Sequence, residues 1–142
     1  MEICLDHQTV LSFLLRVILG ILFFFQGYDK VFQIKMKGVI DSFKRQLGYK
    51  KIPNFLVVSS AWFTSYVELL CGGLLILGLF KTYALYILGI DLILVTGAFS
   101  IITPMWDMQL LFPRLILLAV ILYIPSAWDV LSLDHFLSKP AV

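Results

Sequence analysis

Phe55 to Thr103 reads FLVVSSAWFTSYVELLCGGLLILGLFKTYALYILGIDLILVTGAFSIIT. Two apolar runs, Phe55 to Phe80 and Tyr83 to Thr103, are parted only by Lys81 and Thr82. Each run is long enough to cross a hydrocarbon core as a helix, which takes roughly 20 residues. A two-residue interruption then forces the pair into an antiparallel helical hairpin. The runs are unbroken and show no period-two alternation, which excludes the strands of a barrel.

Working outward, Leu11 to Phe32 is a third apolar run that meets the polar Asp29-Lys30 pair near its end, and Gln109 to Trp128 is a fourth. Pro113 lies in the first turn of this fourth span, where its missing N–H is harmless, and Pro125 lies near its exit. The whole chain agrees with this reading: 61% of its 142 residues are hydrophobic, 14% are charged and the mean hydropathy is +0.96. A soluble core of this size cannot hide so much apolar surface, whereas a bilayer solvates it directly. The expected architecture is all-α: a single integral membrane domain over residues 1–142, folded as a transmembrane up-and-down four-helix bundle. The first run is too long for the apolar part of a signal peptide, and no small-residue cleavage site follows it.

Ile34 to Pro53 is the basic stretch, with Lys35, Lys37, Lys44, Arg45, Lys50 and Lys51 against Asp41. Met36, Ile40, Phe43 and Leu47 recur at helical spacing with the charges on other faces, which predicts an amphipathic interfacial segment between helices 1 and 2, ended by Gly48. An irregular solvated loop is the competing reading. The cations Lys30, Lys35, Lys37, Lys44, Arg45, Lys50, Lys51 and Arg114 fall on the side of the first and third loops, against Arg16, Lys81 and Lys139 on the side of the termini. The positive-inside rule places the loops in the cytoplasm, although headgroup contacts by the basic segment weaken that inference.

Ionisable groups inside spans are the informative residues, since one near the bilayer centre costs about 2.5 to 3.5 kcal/mol. Counted from the face that holds the termini at about 1.5 Å per residue, Arg16 lies about 8 Å deep, Asp91 about 12 Å and Glu68 about 15 to 18 Å. Their similar depth predicts a ligand-binding or polar pocket of Arg16, Glu68 and Asp91, with the guanidinium bridging the carboxylates. By depth Asp29, Lys30, Asp107 and Arg114 are expected together near the opposite face, with Lys30 also a candidate for the pocket. The structural alternative has Arg16 snorkelling to the headgroups and Glu68 held neutral by a hydrogen bond. Gly20, Gly27, Gly72, Gly73 and Gly78 mark faces where helices approach closely.

Other chemistry is missing. His7 and His135 lie outside the spans, so no imidazole pair is available to ligate haem. Cys4 and Cys71 form no motif, there is no Cys/His cluster for a metal, and the net charge of +2 with interspersed signs offers no tract for nucleic acid.

Arg16-x3-Gly20-x2-Phe23-x3-Gly27-x2-Lys30, followed by Glu68-x3-Gly72-Gly73-Leu74-Leu75-x2-Gly78, resembles the DoxX family of small four-helix membrane proteins. The Gly48 to Pro53 approach to the second span and the terminal Leu131-Ser132-Leu133-Asp134 are similar to features of many members. The resemblance implies a bundle distantly similar to the vitamin K epoxide reductase type, in the bacterial inner (cytoplasmic) membrane. It also implies a place in redox biology, since the family is named after a membrane subunit of thiosulfate:quinone oxidoreductase and other members associate with sulfurtransferases or superoxide dismutase. Arg16, Lys30 and Glu68 are the positions it marks. Gln26 departs from the histidine common before the glycine, and the family's usual cytoplasmic termini oppose the charge count.

Three functional readings follow. In the first, the chain is the membrane subunit of a quinone-linked redox complex that holds no cofactor through a motif of its own and takes electrons from a partner protein. In the second, it is a non-enzymatic anchor or a small-molecule- or lipid-binding protein whose basic segment docks on the lipid bilayer or an acidic partner. Proton or small-solute transport is the third, and with four helices per chain it requires a homo-oligomer.

Overall fold

A computed structural model of the chain describes residues 6–47, 53–102 and 108–138. Helix α1 (His7–Tyr28) runs directly into a π-helical turn (Asp29–Gln33) that Ile34 N–H closes onto Asp29 O at 2.8 Å. Helices α2 (Lys35–Leu47), α3 (Asn54–Leu77), α4 (Lys81–Ile102) and α5 (Met108–Tyr123) follow, then a 3-10 turn (Ser126–Trp128) and a short α6 (Leu133–Ser138). All regular structure among the described residues is helical.

His7–Gln33, Asn54–Leu77 and Lys81–Ala98 are each long and apolar enough to cross a membrane. Only 33–39% of an apolar 18-residue stretch in each span is buried, and Phe55, Leu70, Phe80, Tyr83 and Ile93 stand on the outer surface. Water would penalise such a surface and acyl chains solvate it, so the protein is an integral membrane protein. The fourth helix is shorter than expected. Its 16 residues reach about 24 Å at 1.5 Å per residue, and it ends at Tyr123 rather than at Trp128. Pro125 has no N–H to donate and disfavours helical geometry at Ile124 before it. Pro113 also lies inside α5 rather than in its first turn, which frees the carbonyl of Gln109. Helix α5 packs against α4 and α1 and completes the up-and-down bundle.

Lipid tails are as apolar as leucine, so helices in a bilayer gain little from hiding leucines and associate through close packing instead. Here the closest seam joins α1 to α3. A Cβ on Gly72 would come 2.8 Å from Phe24 Cα, and one on Gly27 would meet the backbone of Leu69. These contacts fix the register of the two antiparallel helices: Gly27 is level with Leu69, and Gly20 with Ile76. Leu19, Phe23, Leu75, Leu85, Leu88 and Ile121 fill the axis beside the seam.

The α3–α4 turn falls at Gly78, Leu79 and Phe80 rather than at Lys81-Thr82, because Gly78 (φ 73°) takes the left-handed conformation that stops α3. Leu79 N–H donates to Leu74 O at 2.9 Å and Gly78 N–H to Leu75 O at 3.2 Å, the paired bonds of a glycine-ended helix. The expected amphipathic segment is α2. Its Val39 is buried, Met36, Ile40 and Phe43 are half-buried, and the helix packs on α3 and the π-helical turn. It ends at Leu47, one residue before the glycine expected to stop it; Gly48 itself, Lys50 and Lys51 lie outside the described residues.

Candidate functional site

The inward stripe of α3 runs Val57, Ala61, Thr64, Ser65, Glu68, Cys71, Gly72 and Leu75, with three- and four-residue steps that keep one face of a helix turned to the axis. Glu68 is 1% exposed at the middle of this stripe. Because the glycine seam sets Gly27 against Leu69, the last turn of α1 and the turn that follows it deliver their polar side chains to Glu68. Lys30 Nζ donates to Glu68 Oε2 at 2.6 Å, and Gln26 Nε2 donates to Oε1 at 3.1 Å. The wide π-helical turn carries Lys30, and such insertions recur at functional positions in helices.

Asp91 on α4 completes the acidic half of this centre. It is 0% exposed, and no donor among the described residues reaches either carboxylate oxygen with hydrogen-bond geometry. Thr64 adjoins it from α3, but the hydroxyl's hydrogen bond goes to Glu68 Oε1 at 3.5 Å. The basic half is Lys30 together with Arg114 of α5, whose guanidinium carbon sits 5.8 Å from the centre of the Phe23 ring. Lys30 contacts Glu68 directly, whereas no ion pair joins Arg114 to either carboxyl among the described residues. With every group ionised, the four charges cancel.

Arg16 does not join this group, although its depth pointed there. It lies at the end of the bundle that carries the termini, 1% exposed, and its guanidinium is engaged on three sides. Nη1 donates to Leu75 O at 2.6 Å and Ile76 O at 3.2 Å, Nη2 to Leu131 O at 3.0 Å, and Nε to Asp129 Oδ1 at 3.3 Å. Leu75 and Ile76 are in the last turn of α3, whose carbonyls carry the negative end of the helix dipole, and Leu75 O accepts from Arg16 in addition to the Gly78 N–H. Lys81 Nζ pairs with Asp129 Oδ2 at 3.2 Å, and Asp134 Oδ2 accepts the Lys81 backbone N–H at 3.1 Å. The depth argument failed because it aligned the starts of the spans. Helix α1 overhangs the end of α3 by more than two turns, so Arg16 is level with Gly78, about 15 Å along α1 from Gln26.

The expected cluster near the opposite face is also not formed as drawn. Arg114 turns inward over Phe23, Asp29 is exposed and Asp107 lies outside the described residues. Sequence reasoning missed Gln26 and Thr64 as partners of Glu68, and Asp129 as the partner of Arg16. Gln26 was visible only as a departure from a familiar pattern. Among the described residues, no group of three or more His, Cys, Asp or Glu is placed to hold a metal ion.

Residues 11–103 match the DoxX family model. The chain belongs to the DoxX family. The matched region spans α1 to α4 and carries Lys30, Glu68 and Asp91, so the acidic half of the centre and one of its cations belong to the DoxX domain. Arg114, over the Phe23 ring, is carried by α5, beyond the matched residues. No curated protein and no solved structure matches this DoxX chain.

Proposed function

We propose that this DoxX protein is the membrane subunit of a quinone-linked redox complex, with the centre of Lys30, Glu68, Asp91 and Arg114 as its proton-handling site. The observation that carries the reading is the Lys30–Glu68 pair beside the buried carboxyl of Asp91, with Thr64 between the two acids. Intramembrane carboxyls facing a bundle interior mark proton or substrate paths, since their burial is costly without a use. Reduction of a quinone takes two electrons and two protons. Glu68 and Asp91 pass protons to the quinone oxygens, while Lys30 and Arg114 stabilise the negative charge that develops there. Electrons come from a partner protein, because the sequence holds neither a Cys-x-x-Cys pair nor a haem- or flavin-binding motif. Quinone-dependent turnover of the complex in native membranes tests this. Glu68→Gln lowers it by about 100-fold, the scale of lost acid–base catalysis, with the protein still folded; unchanged turnover removes the proposal.

The second reading is a non-enzymatic anchor or lipid-binding protein, and the observation favouring it is that Lys30–Glu68 also ties α1 to α3. Buried pairs of this kind can serve uniqueness of fold alone. A Lys30→Met, Glu68→Leu double variant that folds, retains its partner and turns over normally selects this reading.

A further inference from the structure

Helix α2 lies where the chain leaves one span and returns to the next, between the π-helical turn after α1 and the start of α3. Its apolar side is committed to the protein through Val39, Met36, Ile40 and Phe43. Its other side is not. Lys35, Lys37, Lys44 and Arg45 are all exposed, and none has a carboxylate within 4.0 Å among the described residues. The acid within the helix, Asp41, is half-buried and pairs with none of them. Phe32 and Ile34, at the junction into α2, and Phe55, at the start of α3, are more than half exposed. A basic helix flanked by outward aromatic and aliphatic side chains sits with its cations at phosphate level and those side chains in the acyl region.

We infer that α2 is a binding surface for the phosphodiester headgroups of anionic phospholipids, with Lys37, Lys44 and Arg45 as principal contacts. Charge complementarity selects an acidic ligand. The flanking Phe32, Ile34 and Phe55 select a lipid over an acidic protein, because a protein docked on the cations alone would leave them without an apolar neighbour. The surface is distinct from the Lys30–Glu68 centre, and the inference stands without the quinone reading.

The test is native mass spectrometry of the full chain in neutral detergent, supplied with equal phosphatidylglycerol and phosphatidylcholine. The wild type retains phosphatidylglycerol preferentially, and the preference falls as salt is raised. In Lys37→Gln, Lys44→Gln, Arg45→Gln the preference drops by about fivefold per cation removed, while Lys37→Arg, Lys44→Arg, Arg45→Lys keeps it. Equal retention of the two lipids by the wild type, or an undiminished preference in a folded neutralised variant, overturns the inference. So does a preference for soluble polyglutamate over phosphatidylglycerol. Should the neutralised variant fail to fold, the salt titration of the wild type decides alone, and a salt-insensitive preference overturns it.

Discussion

Lys30 Nζ lies 2.6 Å from Glu68 Oε2, and this pair joins the π-helical turn after α1 to the middle of α3. The lysine side chain is 18% exposed and the glutamate 2%, so one partner keeps a path toward the loop face while the other is sealed in the bundle. Removing one member of a buried pair leaves the other charge uncompensated, at a cost of about 3 kcal/mol or more. Lys30→Met therefore destabilises the protein by about that amount, measured by thermal unfolding in detergent. Adding Glu68→Leu to it recovers most of the loss, because the double change removes the stranded carboxylate as well. A double variant no more stable than Lys30→Met contradicts the pairing.

The α1–α3 seam makes a sharper steric prediction. Gly72→Ala and Gly27→Ala each drive a methyl group into the backbone of the opposite helix, and overpacking of this kind costs about 1 to 3 kcal/mol. Gly89 and Gly97 on α4 have open space where a Cβ would go. Alanine at either is neutral or stabilises by up to about 1 kcal/mol through helix propensity. The contrast between the two pairs of variants, read as midpoints of thermal unfolding, separates seam packing from a general intolerance of substitution.

Much of the architecture was legible before any coordinates. Interrupted only at Lys81-Thr82, the 55–103 stretch has no choice but to turn back on itself, and Met36, Ile40 and Phe43 spelled out the interfacial helix. What failed was register. Glycine 78, not the polar pair after it, ends α3, and the overhang of α1 carries Arg16 away from Glu68. Arg16 and Asp129 are 113 residues apart in the chain, and no local periodicity connects them. Glu68 was singled out as a buried charge while depth set Lys30 near the opposite face, because their contact depends on which backbone atoms meet across the glycine seam, which spacing within either helix does not encode.

The clamp around Arg16 holds the segment after α5 against the bundle. Arg16→Gln loses the Asp129 pair and most of the carbonyl contacts of the guanidinium, and Arg16→Lys, with one compact charge in place of a planar fork, recovers only part of them. Hydrogen exchange at residues 126–136 accelerates in Arg16→Gln, and Asp129→Asn gives a weaker effect in the same segment. Exchange around Glu68 stays unchanged in both, because about 15 Å of helix separates the two clusters. Equal acceleration in both regions would show that Arg16 supports the entire fold.

Asp91 is where stability and use should part. Among the described residues no hydrogen bond of good geometry reaches its carboxylate oxygens, and burying such a group is costly. Asp91→Asn keeps the shape and removes the charge, and it raises the unfolding midpoint by the equivalent of about 1 kcal/mol, on the scale by which proteins gain when a costly functional group is removed. In the same variant, quinone-dependent turnover falls by about 100-fold if the carboxyl carries protons. A purely structural Asp91 gives the opposite pair of results: lower stability and unaltered turnover. Measuring both quantities on one preparation distinguishes these outcomes, since a folding defect would lower turnover and stability together, whereas the loss of a proton carrier lowers turnover alone.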